Sequence, residues 1–280
     1  MLLLWALLIG GGLALVGWYL LVETEGVYLG QSVVIWLYDR FATRYDTVKA
    51  FDPVDEHRLL AVPLLAACSP HTDPLVLDIA TGTARLPIAL CAHPHFTGQV
   101  IAVDLSREML AQAADNLAED LARVDLIHAP AACLPFPDAA FDAVTLLEAL
   151  EFTPSATATL TEALRVLRPG GVLLTTLRQN VRTMPGKLWS REQLTATLQR
   201  LDAEHITFHP WQHEYMKVWA RKPGESAFIG ATPLETVLRC PLCGAVGFAY
   251  DPPHFTCSAC KTRIRVGPDG VIQMATVQRC

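Results

Sequence analysis

Three clusters of side chains along the 280-residue chain could do chemistry. In the first, the apolar run Leu75–Ile79 carries Asp78 near its end and passes into Ala80-Thr81-Gly82-Thr83-Ala84, a turn of small residues only. A turn without bulk lets a ligand approach the main chain closely. Twenty-two positions after Gly82 the run QVIAVD ends on Asp104, where a carboxylate can accept hydrogen bonds from both hydroxyls of a ribose. A dinucleotide fingerprint, G-x-G-x-x-G, would need a glycine at Arg85, and a long cation cannot take the place of a residue chosen to let helix and strand touch. Asp78 also suits a ligand bearing an ammonium and a sulfonium better than a pyrophosphate. An ordinary strand-to-helix turn would require neither acid.

The second cluster is Cys240-x-x-Cys243 and Cys257-x-x-Cys260, two knuckles separated by thirteen residues. Each can present two thiolates to one tetrahedral ion, which predicts a structural Zn²⁺ site in a zinc ribbon. A redox C-x-x-C is the rival, but two pairs with turn-forming Gly244 and no thioredoxin-like context favour metal. The remaining cysteines, Cys68, Cys91, Cys133 and Cys280, are scattered and read as free thiols in a reducing compartment.

The third is Glu148-Ala149-Leu150-Glu151-Phe152, whose two acids, three apart, would share a helical face. Glu148 is the candidate for a catalytic role, against the reading of both as ordinary surface carboxylates. His128, His205, His209 and His213 carry less weight than Glu148 and read as strand or loop histidines.

These clusters need a frame that holds loops at the ends of strands. From about Asp73 the chain repeats apolar run, polar turn and amphipathic segment, the pattern of a parallel sheet covered by helices. Strands are predicted at Leu75–Ile79, Val100–Asp104, Asp125–His128, Phe141–Leu147 and Val172–Leu177. Helices are predicted at Thr83–Ala92, Arg107–Leu121 with Ser106 as N-cap, Ser155–Leu167, and Arg191–Asp202 opened by the capping box Ser190-x-x-Gln193. Arg168-Pro169-Gly170-Gly171 stops one helix and leads into the next strand. His205–His209 and Glu214–Trp219 pair as a closing antiparallel hairpin.

The N-terminus is of another kind. Met1–Val22 holds no charged side chain and, as a helix, would span about 33 Å against the roughly 30 Å of a hydrocarbon core. No basic residue precedes the run and no small-x-small cleavage site follows it, so a single-pass transmembrane anchor is predicted in place of a signal peptide. The weak excess of Arg40, Arg44 and Lys49 puts the catalytic domain on the cytoplasmic side. The expected organisation is an anchor at 1–22, interfacial or lid helices at 23–72, an α/β domain at 73–222, a linker at 223–236 and a zinc ribbon, a separate unit, at 237–280. A net charge of −6 and a pI near 5.8 exclude a broad basic face, which makes nucleic acid an unlikely partner.

From Leu75 to about Ala220 the chain resembles the class I SAM-dependent methyltransferases of the type-11 group, which includes the ubiquinone and menaquinone biosynthesis enzymes. LDIATGTA resembles their first motif, VIAVDLSREML their ribose strand and the helix after it, LPFPDAAFDAV the approach to their fourth strand, and LRVLRPGGVLLTT their fifth. LYDRFATRYD, Leu37 to Asp46, is similar to the N-terminal helix that closes over SAM in that group. The resemblance implies a seven-stranded Rossmann-like sheet and S-adenosyl-L-methionine as cofactor. It further implies that Asp78 and the turn Ala80, Thr81, Gly82, Thr83, Ala84 hold the methionine end, Asp104 the ribose, and Leu105 and Met109 one side of the adenine, with the Ala131 backbone on the other.

Two positions depart from the pattern. Pro130 stands where the group has an acid for the adenine amino group, and proline offers neither an acceptor side chain nor an N–H. Phe152 stands where the E-x-x-E-H run of the ubiquinone O-methyltransferases has its metal-binding histidine, so metal-assisted O-methylation does not carry over. Three functions stay open to the sequence: methylation of a small hydrophobic or lipid-like acceptor at a membrane, methylation of RNA or protein recognised by the ribbon, and SAM binding without catalysis. The acceptor atom and the oligomeric state are not legible in it.

Overall fold

The structure, a computed structural model, describes residues 1–179 and 184–277; Cys280 lies outside them. Strands β1 (Leu75–Ile79), β2 (Gln99–Asp104), β3 (Val124–His128), β4 (Phe141–Leu146), β5 (Leu167–Arg178), β6 (Glu204–Pro210) and β7 (Tyr215–Arg221) form a seven-stranded sheet in the order β3-β2-β1-β4-β5-β7-β6. The strands from β3 to β5 are parallel, and β7 and β6 close the sheet antiparallel. The chain reverses direction across the sheet between β1 and β4, the crevice where open α/β sheets bind ligands. β1 and β4 are buried along their whole length, as strands covered on both faces must be.

Helices α5 (Arg85–Cys91), α6 (Arg107–Asn116), α7 (Ala156–Val166) and α8 (Arg191–Arg200) cover the sheet. Their starts follow capping chemistry: Ser106, Ser155 and Ser190 each accept a hydrogen bond from the N3 backbone, and Ser190 completes the capping box with Gln193. α5 begins at Arg85, two residues later than expected, because Ala84 sits in the left-handed region at φ 69° and cannot be helical. α6 ends at Asn116 and α8 at Arg200, short of Leu121 and Asp202. β5 starts at Leu167 and carries Pro169-Gly170-Gly171 inside its length.

No helix among the described residues is long and apolar enough to cross a membrane, which corrects the expected span over 1–22. α1 (Leu2–Trp18) has 17 residues, about 26 Å at 1.5 Å each and short of the roughly 30 Å core. At Tyr19 the helix widens into a π-helical turn, Tyr19–Glu23, because the Thr24 N–H reaches the Tyr19 carbonyl and its hydroxyl takes that of Leu20. Along α1, Leu7, Leu13 and Leu15 are 67%, 68% and 70% exposed.

After Gly30 comes α2 (Gln31–Lys49), then α3 (Pro53–Glu56) and α4 (Val62–Cys68). Of the interfacial or lid helices expected over 23–72, the first long one therefore starts only at Gln31. After α9 (Leu234–Val237), β8 (Phe248–Asp251), β9 (His254–Cys257) and β10 (Arg263–Arg265) form a small antiparallel sheet. The boundary expected at 237 is not a physical separation. Ile272 lies parallel beside Ile127 of β3, and Leu238, Phe255, Ile264 and Ile272 share one core with Ile101 and Val103.

Candidate functional site

Two loops meet at the C-terminal ends of β1 and β2. In the turn after β1, Ala80, Gly82 and Ala84 all have positive φ, 55°, 57° and 69°. Two of the three are alanines, so the turn holds a conformation that L-residues disfavour, as functional loops often do. A side chain on Gly82 would meet no protein atom within 4 Å, so the protein leaves open the face that a ligand would take. The turn is tied to β2 by the Thr81 N–H on the Val103 carbonyl at 3.1 Å and the Gly82 N–H on Asp104 Oδ2 at 2.8 Å.

Asp104 also accepts the Ser106 N–H through Oδ1 at 2.8 Å. Burial pushes its carboxyl above the ordinary range, and the Ser106 and Gly82 N–H groups pull it back. The Leu105 N–H lies beside these two donors, and the carboxylate's remaining acceptor capacity is what a ribose hydroxyl would use. Asp78 is buried beneath the turn, where Oδ2 accepts from the Thr81 hydroxyl at 2.7 Å and Oδ1 from the Thr145 hydroxyl at 2.6 Å. Burial lifts its carboxyl to about 6 in spite of the two hydroxyls.

The residues that the resemblance assigns to the adenine lie at the ends of β2 and β3 and the start of α6. The Leu105 carbonyl takes His128 Nε2 at 3.1 Å, and the Ala129 N–H bonds to the Asp104 carbonyl at 3.0 Å. Ala131 packs partly buried against the core, and Met109 is 1% exposed with its N–H on Ser106 Oγ. His128, ranked low from sequence, is the side chain that joins the Leu105 and Ala129–Ala131 loops.

Glu148 does not stand as a free base. It sits at φ 51° before the 3₁₀ turn Leu150–Phe152, so it and Glu151 point apart and do not share a helical face. Its carboxylate pairs with Arg85 at 2.6 Å and Lys49 at 3.1 Å. Glu151 is buried instead against the Tyr215 hydroxyl, at 2.5 Å, with Arg178 at 3.8 Å, and burial raises its carboxyl.

Sequence reasoning placed α2 over the cofactor loop but not the contacts that hold it there. Asp39 accepts from Ser106 Oγ at 2.6 Å, Asp46 from Thr83 Oγ1 at 2.5 Å and from Asn116 at 2.8 Å, and Lys49 reaches Glu148. Arg85 is paired to Glu56 and stacked between Phe51, 3.9 Å, and Trp211, 4.6 Å. Tyr45, Phe51, Arg85 and Glu148 close over the turn and leave a cleft of about 40 Å³. On the far side of Tyr45 and Lys49 lies a larger cavity, about 290 Å³, walled by Leu21 and Val22 from the N-terminal segment and by Leu37, Phe41 and Val48 from α2.

At the C-terminal knuckles the four Sγ atoms lie within 4.8 Å of one another, Cys240 to Cys260 at 3.6 Å and Cys243 to Cys257 at 3.7 Å. Metal–sulfur bonds of about 2.3 Å in a tetrahedron require sulfur separations of about 3.8 Å, so the cluster fits a Zn²⁺-sized ion. The Thr262 hydroxyl and backbone lower the exposed Cys260 thiol, while burial raises that of Cys240.

Comparison with known proteins agrees with this geometry. A family described as a methyltransferase domain matches residues 76–171. The demethylmenaquinone methyltransferase of Staphylococcus saprophyticus is 31% identical over 138 residues, covering 49% of this chain and 59% of that one. The demethylmenaquinone methyltransferase of Clavibacter sepedonicus is 29% identical over 207 residues, 72% of this chain and 82% of that one. Among solved structures, the [4+2]-cyclase SpnF superposes with a TM-score of 0.58 at 20% identity, over 70% of this chain and 98% of that chain. That likeness bears on the fold alone, and a cyclase on the same frame shows that fold does not name a reaction.

Proposed function

We propose that this chain, which carries a class I SAM-dependent methyltransferase domain, transfers a methyl group from S-adenosyl-L-methionine to a small hydrophobic, lipid-like acceptor at a membrane surface. The observation that carries the reading is the apolar cavity beside the cofactor cleft: Tyr45 lines both, and Lys49 of the cavity pairs with Glu148 of the cleft. Two of its walls, Leu21 and Val22, come from the end of the exposed apolar N-terminal helix, so an acceptor with a long apolar part could enter from lipid without crossing water.

The bound cofactor supplies an electrophilic methyl on a sulfonium. The chain's own part is to hold, orient and dry. Asp104 holds the ribose, Asp78 and the Ala80–Ala84 turn the methionine end, and Leu105, Met109 and Ala131 flank the adenine. Tyr45, Phe51 and α2 exclude water, and alignment in a dry pocket supplies much of the acceleration that such transfers need. Glu148, neutralised by Arg85 and Lys49, fits a latch between lid and turn better than a general base. Names of the relatives support a quinone-type acceptor within the lipid-like class.

Attachment of α1 to lipid follows from its exposure, because leaving so many leucines in water costs about 25 cal/mol per Å² of apolar surface. The domain then works on the cytoplasmic side, where Cys68 and Cys91 stay free thiols. A Zn²⁺ ion at Cys240, Cys243, Cys257 and Cys260 completes the C-terminal unit. The test is a comparison of total lipids, by mass spectrometry, from cells with and without the protein. A lipid that accumulates one methylene lighter in its absence supports the reading; unchanged lipids together with label from SAM in RNA or protein would overturn it.

A further inference from the structure

We propose that the C-terminal metal unit braces the adenine end of the cofactor cradle, with Asp269 and Ile272 as positioning residues, so that metal at the four cysteines and SAM binding strengthen one another. The inference rests on the reading of the Asp104–Met109 and His128–Ala131 segments as the ribose and adenine site, and it goes beyond that reading in assigning the C-terminal unit a part in it.

The path is continuous in hydrogen bonds. Within the unit, the Cys257 N–H bonds to the Thr262 carbonyl at 2.8 Å, at the join of β9 and β10, the Cys240 N–H closes the first knuckle on the Ala245 carbonyl at 2.8 Å, and the Ser258 N–H ties the second knuckle to the Gly247 carbonyl at 3.2 Å. The Val266 N–H takes the Pro253 carbonyl, and the chain then turns through Gly267-Pro268-Asp269-Gly270, closed by the Gly267 N–H on Val271 at 2.8 Å. From this turn two contacts leave the unit. Asp269 Oδ2 pairs with Arg107 at 2.5 Å, and Arg107 is the first residue of α6, three after Asp104. Ile272 adds to the outer edge of β3: its N–H donates to the Leu126 carbonyl at 2.9 Å, and its own carbonyl receives the His128 N–H at 2.9 Å.

Both contacts therefore land where a cofactor loop begins or ends. Arg107 fixes the exit of the Asp104-Leu105-Ser106 loop. His128 fixes the entry of the Ala129-Pro130-Ala131 loop, and its ring also holds the Leu105 carbonyl. That second loop carries Pro130, which has no side-chain acceptor for adenine, so the position of its backbone matters more than in a loop with an acid there. Ile272 meanwhile bridges Val266 on one side and Ile127 on the other, so the unit and the sheet share a single strand edge.

The unit's apolar side chains belong to the core it shares with the sheet, which leaves the two cysteine knuckles for the metal to hold in place. Loss of metal should release Ile272 and Asp269 together, loosen both loops and weaken SAM. By linkage, SAM must then raise the affinity for metal by the same factor.

The experiment uses the full chain. SAM dissociation constants are measured by calorimetry on the zinc-loaded and the chelator-stripped protein, and Zn²⁺ affinity is measured by competition with a chromophoric chelator, with and without SAM. We expect SAM to weaken by roughly tenfold on stripping, within the range of known couplings, and Zn²⁺ to tighten by the same factor when SAM is present. Asp269→Asn, which keeps every cysteine, should weaken SAM in the zinc-loaded protein, and the exchange of Arg107→Asp with Asp269→Arg should recover part of that loss. A general loss of packing would not be recovered by the charge exchange, so recovery assigns the effect to the Arg107–Asp269 pair. Equal SAM affinity with and without zinc, or in Asp269→Asn, would overturn the coupling while leaving the cradle intact. Absence of SAM binding by the zinc-loaded wild-type chain would overturn both.

Discussion

Asp104 joins the loops after β1 and β2 through the Gly82 and Ser106 N–H groups, and the proposed function gives its remaining acceptor capacity to a ribose. Asp104→Ala should therefore weaken SAM by roughly two to four powers of ten, the loss of two charge-assisted bonds, while the fold persists; calorimetry checks it. Asp78 makes a prediction in pH. Its folded value, about 6, exceeds the ordinary 3.8, so the stability it contributes is present at low pH and lost as pH rises through about 6. A cationic ligand prefers the ionised form, so SAM affinity should rise from about pH 5 to about pH 7, and Asp78→Asn should flatten that rise. A wild-type affinity independent of pH over this range would remove Asp78 from the site. Both acids stand out in the sequence because Asp104 ends an apolar run and Asp78 lies one residue before the end of another, positions that topology fixes. The partners of Glu148 were not, since Lys49 and Arg85 reach it from 99 and 63 residues away.

At the scale of elements, the turn between β1 and α5 concentrates the site's backbone demands. Gly82→Ala should cost about 1 kcal/mol in a denaturant titration, the strain of a left-handed alanine, because the added methyl meets no protein atom. The same methyl would stand on the ligand's side, so SAM affinity should fall by a larger factor than stability; an equal or smaller fall would place the ligand elsewhere. The lid gives a second test. Asp46 holds α2 to Thr83 and Asn116, so Asp46→Ala should speed SAM association in stopped-flow by freeing the helix from the turn. An unchanged rate would mean that SAM does not enter beneath α2. The sheet strands were readable from period and turn chemistry, and their cores fall where expected. The start of α5 was not, because the left-handed Ala84 is set by the loop's contacts and leaves no mark in an alanine.

The whole molecule joins three parts that the sequence reads as successive: an apolar helix, a cofactor domain and a metal unit. Their contacts could not be read, because Ile272 meets Ile127 and Asp269 meets Arg107 across more than half the chain. The helix too was longer in expectation than in the structure, since nothing in an uncharged run marks where the Thr24 hydroxyl will draw it into a π turn. For the metal unit, one Zn²⁺ per chain is expected by elemental analysis, and Cys257→Ser should lose it and the fold of the hairpin, because three ligands cannot close a structural site. Iron in its place, or no metal, would contradict the assignment. The central claim, methyl transfer to a lipid-like acceptor beside the cofactor cleft, is tested most directly by incubating the full chain with methyl-deuterated SAM, a total lipid extract and a total RNA and protein extract, then following the label by mass spectrometry. The account predicts label in an apolar lipid fraction, lost in Asp104→Ala and reduced when Phe41→Trp narrows the 290 Å³ cavity. Label confined to RNA or protein, or lipid labelling indifferent to Phe41→Trp, would contradict it.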